Sequence, residues 1–227
     1  MYRLACVVLA AGKASRFGEP KQLANTSENT LLGNALQQLN CAIIYAANAA
    51  NAANADKQKK ESFSSSIYVA LGAHRQVIQP YLENTSFNVK PLIVEHWQLG
   101  MGHSLSESMK AIANAAYSHV LVTLSDLVAV TAKDHSRLIN QSVLNPDNVI
   151  VSRFAKSEKT VLGAPAIFPR SYFSELSQLK GDVGARKVIQ SAKTDVITVD
   201  NANAAIDIDT QQDLLDWQKT NLETRSS

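Results

Sequence analysis

An α/β fold with a mostly parallel open sheet and helices on both faces follows from three features of this sequence. Short apolar runs recur at Leu4–Ala10, Ile67–Ala73 and His119–Leu124. They are too short for helices and apolar enough for strands buried on both faces. Segments with helical spacing separate them. In Thr30–Ala46, residues Leu31, Leu32, Ala35, Leu36, Leu39 and Ile43 share one face. The first run ends in a basic turn, Gly12 to Gly18, placed where such sheets bind ligands, outside the carboxyl end of a strand.

The remaining elements follow in order. Residues 46–55 read AANAANAANA, then DKQKKESFSSS. Alanine favours helix and Asn opposes it mildly, so the first helix is expected to fray there into a solvated loop ending near Ser66. Arg75–Leu82 reads as a short helix, and Val89–Val94 as a strand carrying Pro91. Gln98–Ser104 reads as a glycine loop, and Ser104–Tyr117 as a helix with Leu105, Met109, Ile112 and Ala116 on one face. The His119–Leu124 strand ends in Ser125-Asp126, and a helix starts near Ala132. Asn148–Ser152 and Val196–Val199 are expected strands, and Gly163–Phe168 a turn into a short strand. Helices are expected over Ser171–Leu179, from Ala185, and through Leu214, Leu215 and Trp217. Residues 1–222 read as one domain with a low-complexity insertion at about 46–66, followed by the tail 223–227.

Composition excludes several classes. The 227 residues carry 22 basic and 20 acidic side chains, a formal net charge of +2. That balance leaves no global field for nucleic acid or membrane, so any anion site is local. Cys6 and Cys41 are too few for a disulfide framework, and Cys6 reads as a buried inert thiol. Leu4–Ala11 is at the short limit for a leader peptide and passes straight into the charged loop, so it reads as a first strand. The expected location is the cytoplasm.

The loop after that strand is the strongest chemical signal. Gly12 and Gly18 flank Lys13 and Arg16, and Lys21 follows. Glycine lets backbone N–H groups approach an anion, while a guanidinium and an ammonium add positive charge. The pattern is neither G-x-G-x-x-G nor G-x-x-x-x-G-K-[ST], which argues against dinucleotide oxidoreductases and P-loop enzymes. Asp126 ends a strand on the same sheet edge and is suited to a hard divalent ion such as Mg²⁺. A serine hydrolase is a rival, since Gly102-His103-Ser104-Leu105-Ser106 nearly matches a nucleophile elbow, with Asp126 and His135 following in order. A silent nucleotide- or cofactor-binding protein is another.

Leu9-Ala10-Ala11-Gly12-Lys13-Ala14-Ser15-Arg16-Phe17-Gly18, followed by Lys21, resembles the signature of nucleotidyltransferases that modify molybdopterin and related metabolites. Over nearly its whole length the chain is similar to molybdenum cofactor cytidylyltransferases. Trp97–Leu105 resembles that family's glycine loop. Gly163-Ala164-Pro165 and Gly181–Arg186 resemble its acceptor-side segment, and Asp207–Thr210 with Asp213-Leu214 its closing motif. The resemblance implies a Rossmann-like nucleotidyltransferase fold. It implies transfer of CMP from CTP to the terminal phosphate of the molybdenum–molybdopterin cofactor, with release of pyrophosphate and dependence on Mg²⁺. Guanylyl transfer, or another phosphorylated acceptor, is the alternative, and hand-over to a molybdoenzyme or its maturation chaperone is the implied partnership.

The same resemblance distributes the roles. Arg16, Lys21 and Asp126 are the expected catalytic residues. Leu9, Ala10, Ala11, Gly12, Lys13, Gly100, Gly102 and Ser104 are expected at the nucleotide, with Ser104 equally suited to capping the next helix. Pro165, Asp182 and Arg186 are expected at the acceptor. Asp126 is the first expected metal ligand, with Asp207 or Asp209 the second, because strand alternation puts both on one face. Four departures stand out. Ala14 replaces Ser or Gly, and Gln211 replaces Pro. His103 replaces a small residue and is expected to narrow or re-tune the base pocket. Leu127-Val128 replaces a pair ending in Pro and is expected to loosen the aim of Asp126. Lys21→Ala is expected to depress turnover far more than stability.

Overall fold

The computed structural model describes residues 1–54 and 63–225. Its strands are β1 (Tyr2–Leu9), β2 (Phe63–Leu71), β3 (Val89–Ile93), β4 (His119–Leu124), β5 (Val149–Lys156), β6 (Lys159–Pro169) and β7 (Val196–Asp200). They form one seven-stranded sheet in the order β3-β2-β1-β4-β6-β5-β7. β1 pairs in parallel with β2 and β4, as β3 does with β2 and β7 with β5, whereas β6 runs antiparallel to β4 and β5. Sequence order reverses direction across β1 and β4, the position where open α/β sheets leave a crevice for ligands.

The helices are α1 (Leu31–Asn54), α2 (Arg75–Glu83), α3 (Met101–Ile112), α4 (Ala132–Leu144), α5 (Phe173–Leu176), α6 (Arg186–Ala192) and α7 (Gln211–Arg225). Alternation along β1 sends its side chains to two cores. Leu4, Cys6 and Val8 pack with Leu36 and Leu39 of α1, Ile78 of α2 and Leu138 of α4. Ala5, Val7 and Leu9 pack with Leu105 and Met109 of α3, Leu176 of α5 and Val188 of α6. Helices therefore cover both faces, as the apolar character of β1 predicts. Cys6 is fully buried, and burial pushes its thiol pKa up, in keeping with an inert thiol.

Several boundaries differ from the sequence reading. α1 continues through the Ala/Asn repeat to Asn54, because alanine carries the helix past the mild opposition of Asn. The loop expected to end near Ser66 is shorter, since β2 begins at Phe63, which stacks on Tyr2 of β1 at 5.7 Å; residues 55–62 lie outside the described residues. α3 starts at Met101, so the glycine loop is confined to a 3₁₀ turn over Trp97–Leu99 and Gly100, and it ends at Ile112 rather than Tyr117. The expected short strands near 148–152 and 163–168 are the ends of one long hairpin, β5–β6. The expected helix over Ser171–Leu179 is a 3₁₀ turn followed by the four residues of α5.

Candidate active site

β1 and β4 end level, with Leu9 opposite Leu124. The loops that leave them border a cavity of about 480 Å³. Leu9 through Arg16, Lys21, Gln22, Trp97, Gln98, Gly100, Met101, Ser104, Leu124, Ser125, Asp126, Asp182 and Asp209 line it. Gly12 has no atom within 4 Å of the position a Cβ would take, so that space is open to a ligand. Gln22 is buried and its amide donates to the carbonyls of Ala10 and Gly12, at 2.9 and 3.1 Å. It holds the loop's shape from inside. Sequence reasoning missed this role; a glutamine directly after Lys21 carries no motif of its own.

The charged centre is a cluster of four side chains. Lys21 Nζ donates to Asp126 Oδ2 at 2.7 Å, to Asp209 Oδ1 at 3.0 Å and to the carbonyl of Ile208 at 2.9 Å. Arg16 Nη2 donates to Asp209 Oδ2 at 2.8 Å. Three acceptors engage all three ammonium protons of Lys21. In this structure Lys21 joins two carboxylates, and reaching a phosphate requires giving up one of its acceptors. Arg16 is 71% exposed, has a single partner carboxylate and is free to turn.

The two carboxylates titrate in opposite senses. Burial lifts the pKa of Asp126; Lys21 opposes the shift, while Asp207 and Asp209 add to it. Burial also works against the charge of Asp209, but Lys21, Arg16 and Lys156 outweigh it and hold its carboxyl below the usual range. For Lys21, burial lowers the pKa and Asp126 and Asp209 overcome that, leaving it raised.

Asp126 Oδ1 is buried and has no hydrogen-bond partner among the described residues. A buried carboxylate oxygen without a partner is costly, and it points to a ligand. With Asp209 beside it, the donor set is hard oxygen, which suits a divalent ion such as Mg²⁺.

Asp207 pairs its carboxylate with Lys156 at 2.6 Å and does not line the cavity, although its charge still acts on Asp126. Asp213 closes the motif by accepting the backbone N–H groups of Asp209 and Thr210. Phe17, Leu31, Val128, Ile208 and Leu214 pack together beneath, fixing the loop after β1 against the segment that carries Asp209.

The departures acquire physical content. Leu127 and Val128 are buried, and the Asp126 carbonyl accepts N–H groups from Val128 and Ile208 at 2.9 and 3.0 Å. These contacts fix the turn without proline, so the expected loosening of Asp126 is not found. Gln211 donates to the Phe17 carbonyl. Ala14 sits at φ +53°, a conformation that glycine adopts at lower cost. His74 Nε2 donates to the Lys13 carbonyl at 2.8 Å, as a satisfied turn histidine would. His103 does not narrow the cavity. Its ring lies against His96 and Glu107 instead.

Ser104 is in the first turn of α3, not at its cap, and its hydroxyl donates back to the Gly100 carbonyl at 3.2 Å. The hydrolase triad does not assemble. His135 is buried within α4 and absent from the cavity lining, and Asp126 is engaged by Lys21. On the acceptor side, Asp182 reaches the cavity, and the N–H of Gly102 donates to the Gly181 carbonyl at 2.7 Å. Arg186 is exposed at the start of α6 and Pro165 is buried in β6; neither lines the cavity.

Among the described residues no helix is long and apolar enough to cross a membrane. The model of the MobA-like NTP transferase domain matches residues 6–196. The bifunctional protein GlmU of Ruthia magnifica subsp. Calyptogena magnifica is 25% identical over 157 residues, covering 64% of this chain and 29% of that protein. The chain therefore spans under a third of that relative's length. Among solved structures, the homolog of Mycobacterium tuberculosis Rv0371c from Mycobacterium sp. strain JC1 superposes with a TM-score of 0.71 at 24% identity, over 97% of this chain and 98% of that one. The Rv0371c complex with manganese from M. tuberculosis H37Rv gives 0.64 at 22% identity, over 96% and 98%. At these identities the likeness speaks for the fold. The extent of the domain match, together with a charged crevice at the β1/β4 edge, leads to the conclusion that the chain belongs to the MobA-like NTP transferase domain family.

Proposed function

We propose that this protein is a nucleotidyltransferase that moves CMP from CTP to the terminal phosphate of the molybdenum–molybdopterin cofactor and releases pyrophosphate. The observation that carries nucleotidyl transfer is the Arg16–Asp209–Lys21–Asp126 cluster at the rim of a loop with open space at Gly12. The motif resemblance described above supports the choice of cytidylyl donor and pterin acceptor. In the reaction an oxygen of the acceptor phosphate bonds to the α-phosphorus of the nucleotide, and the bond from that phosphorus to the β-phosphate bridge breaks. Pyrophosphate carries away the electron pair.

The barrier for such a transfer falls mainly through positioning and charge neutralisation. The loop 9–13 supplies backbone around the triphosphate, held by Gln22 from beneath. Arg16 turns from Asp209 to the phosphates, where a planar fork offers bidentate contacts. Lys21 bridges the two carboxylates and neutralises part of their charge. Asp126, whose Oδ1 is buried without a partner, and Asp209 would hold the divalent cation. When bound, that cation supplies neutralisation of charge on the phosphate oxygens. Asp182 lines the cavity beside Gly100, and the motif resemblance supports a role for it at the acceptor.

The test is pyrophosphate release with CTP, GTP, ATP and UTP in turn, with Mg²⁺ and the pterin acceptor, for the natural chain and for Asp126→Asn. CTP is expected to be preferred. Asp126→Asn is expected to lower turnover by about 100-fold or more with the fold intact by circular dichroism. Preference for GTP, or indifference among the four nucleotides, rejects the cytidylyl assignment.

A further inference from the structure

His96, His103 and Glu107 bring an imidazole nitrogen each and a carboxylate oxygen to within 4.8 Å of one another, outside the cavity lining. We infer that this trio is a second cation site, one that takes a borderline transition metal such as Zn²⁺ and staples the segment from His96 to His103. Imidazole and carboxylate together suit zinc and its neighbours and do not suit Mg²⁺, which prefers oxygen alone.

The geometry is built from two elements. His103 and Glu107 are one turn apart on α3, so they share a face. His96 precedes the Trp97–Leu99 turn and folds back onto Glu107. Glu107 Oε1 is 2.6 Å from His96 Nδ1 and 3.8 Å from His103 Nε2. Its other oxygen accepts the backbone N–H of Glu95 at 2.8 Å and is 3.5 Å from that of His96. The carboxylate is thus aimed by backbone groups on one side and offers an oxygen to both rings on the other. Such outer contacts orient metal ligands in known sites.

The distances also say how a metal enters. Zinc bonds of about 2.0–2.2 Å in a tetrahedron place donors roughly 3.3 Å apart. The 2.6 Å contact holds a proton between His96 and Glu107, and a cation replaces it when the pair opens by about 0.7 Å. His96 is 65% exposed, so its ring has room to make that shift, whereas His103 and Glu107 are largely covered and preset. Three protein ligands leave a coordination position for water. Trp97, Gln98, Gly100 and Met101 line the cavity, and all of them lie between the two histidines. A metal at this trio therefore closes a short ring around one wall of the cavity. The importance of that wall for nucleotide binding rests on the function proposed above; metal binding does not.

Binding is tested on the full chain, free of any affinity tag and stripped with chelator, by calorimetric titration with Zn²⁺ and by visible absorption with Co²⁺. One equivalent is expected, and it is expected to persist in Asp126→Asn, which separates this site from the carboxylate pair. His96→Ala and His103→Ala are each expected to weaken it by more than the roughly 10–100-fold that loss of a supporting partner costs. If His103→Ala does not fold, His96→Ala carries the test from an exposed position. Zn²⁺ is also expected to slow amide exchange over 97–103 in the natural chain and not in His96→Ala. Binding that vanishes with Asp126→Asn, binding indifferent to both histidine variants, or binding without protection of 97–103 overturns the inference.

Discussion

Lys21 serves two ends, and its substitution separates them. Its side chain is 13% exposed and that of Asp126 is 18% exposed, so the pair is largely but not wholly withdrawn from water. Removing one partner of a buried ion pair costs about 3–5 kcal/mol, and residual solvent access brings that down to about 2–3 kcal/mol here. Lys21→Ala is therefore expected to lower stability by that amount in urea denaturation as well as lowering turnover. The double variant Lys21→Met/Asp126→Asn is expected to regain most of the stability and none of the turnover. This revises the sequence expectation, in which the loss fell on turnover. Motif and residue type made Arg16, Lys21, Asp126 and Asp209 legible as charged partners. What was not legible is which group each one meets. Alternation in the sequence does not separate Asp207 from Asp209; in the structure residues 206–209 form no strand, and Lys156 of β5 pairs with Asp207.

At the scale of elements, the junction before α3 carries the tightest constraint. Gly100 stands at φ +105°, and a Cβ there would lie 2.2 Å from Asp182 Oδ1 and 2.6 Å from the Gly181 carbonyl carbon. The backbone cannot yield as a flexible side chain could. Gly100→Ala is expected to push the 181–184 turn away from α3 and weaken nucleotide affinity by about tenfold or more, read by calorimetry. Loss of affinity without loss of secondary structure is the expected signature. Buried strands and amphipathic helices announced themselves through their apolar spacing. The β5–β6 hairpin did not. Its turn residues Ser157 and Glu158 take φ of +50° and +62°, a geometry usually signalled by Asn-Gly or Asp-Gly. Without that signal the two strands read as separate and short. The start of α3 was hidden for a related reason: two glycines in QLGMGHS read as loop, yet Gly102 lies inside the helix.

For the molecule as a whole, His135 sets a pH response that is independent of the active site. It is buried on α4, and burial pushes its pKa down from 6.5 to about 4, with Asp134 opposing the shift. The unfolded chain takes up this proton near pH 6.5, while the folded chain refuses it until about pH 4. Between those values the unfolded state binds more protons, so stability falls as pH falls, by on the order of 3 kcal/mol in total. Above pH 6.5 the residue contributes no slope. His135→Leu is expected to flatten urea midpoints across that window, and an unchanged slope would assign the response to other groups. Alternating strands and helices made the parallel sheet legible. Strand order and the reversal of β6 were not, because they depend on contacts between residues far apart in the chain.

That separation has a consequence in time. Lys21 and Asp209 are 188 residues apart, so Asp209 is synthesised long after Lys21. A nascent chain presents the loop after β1, and then Asp126, well before the second carboxylate has left the ribosome. Until then Lys21 lacks its second carboxylate and Arg16 lacks Asp209. Synthesis through Asp209 is what brings the four charged side chains together, so a nascent chain that ends before it lacks the cluster.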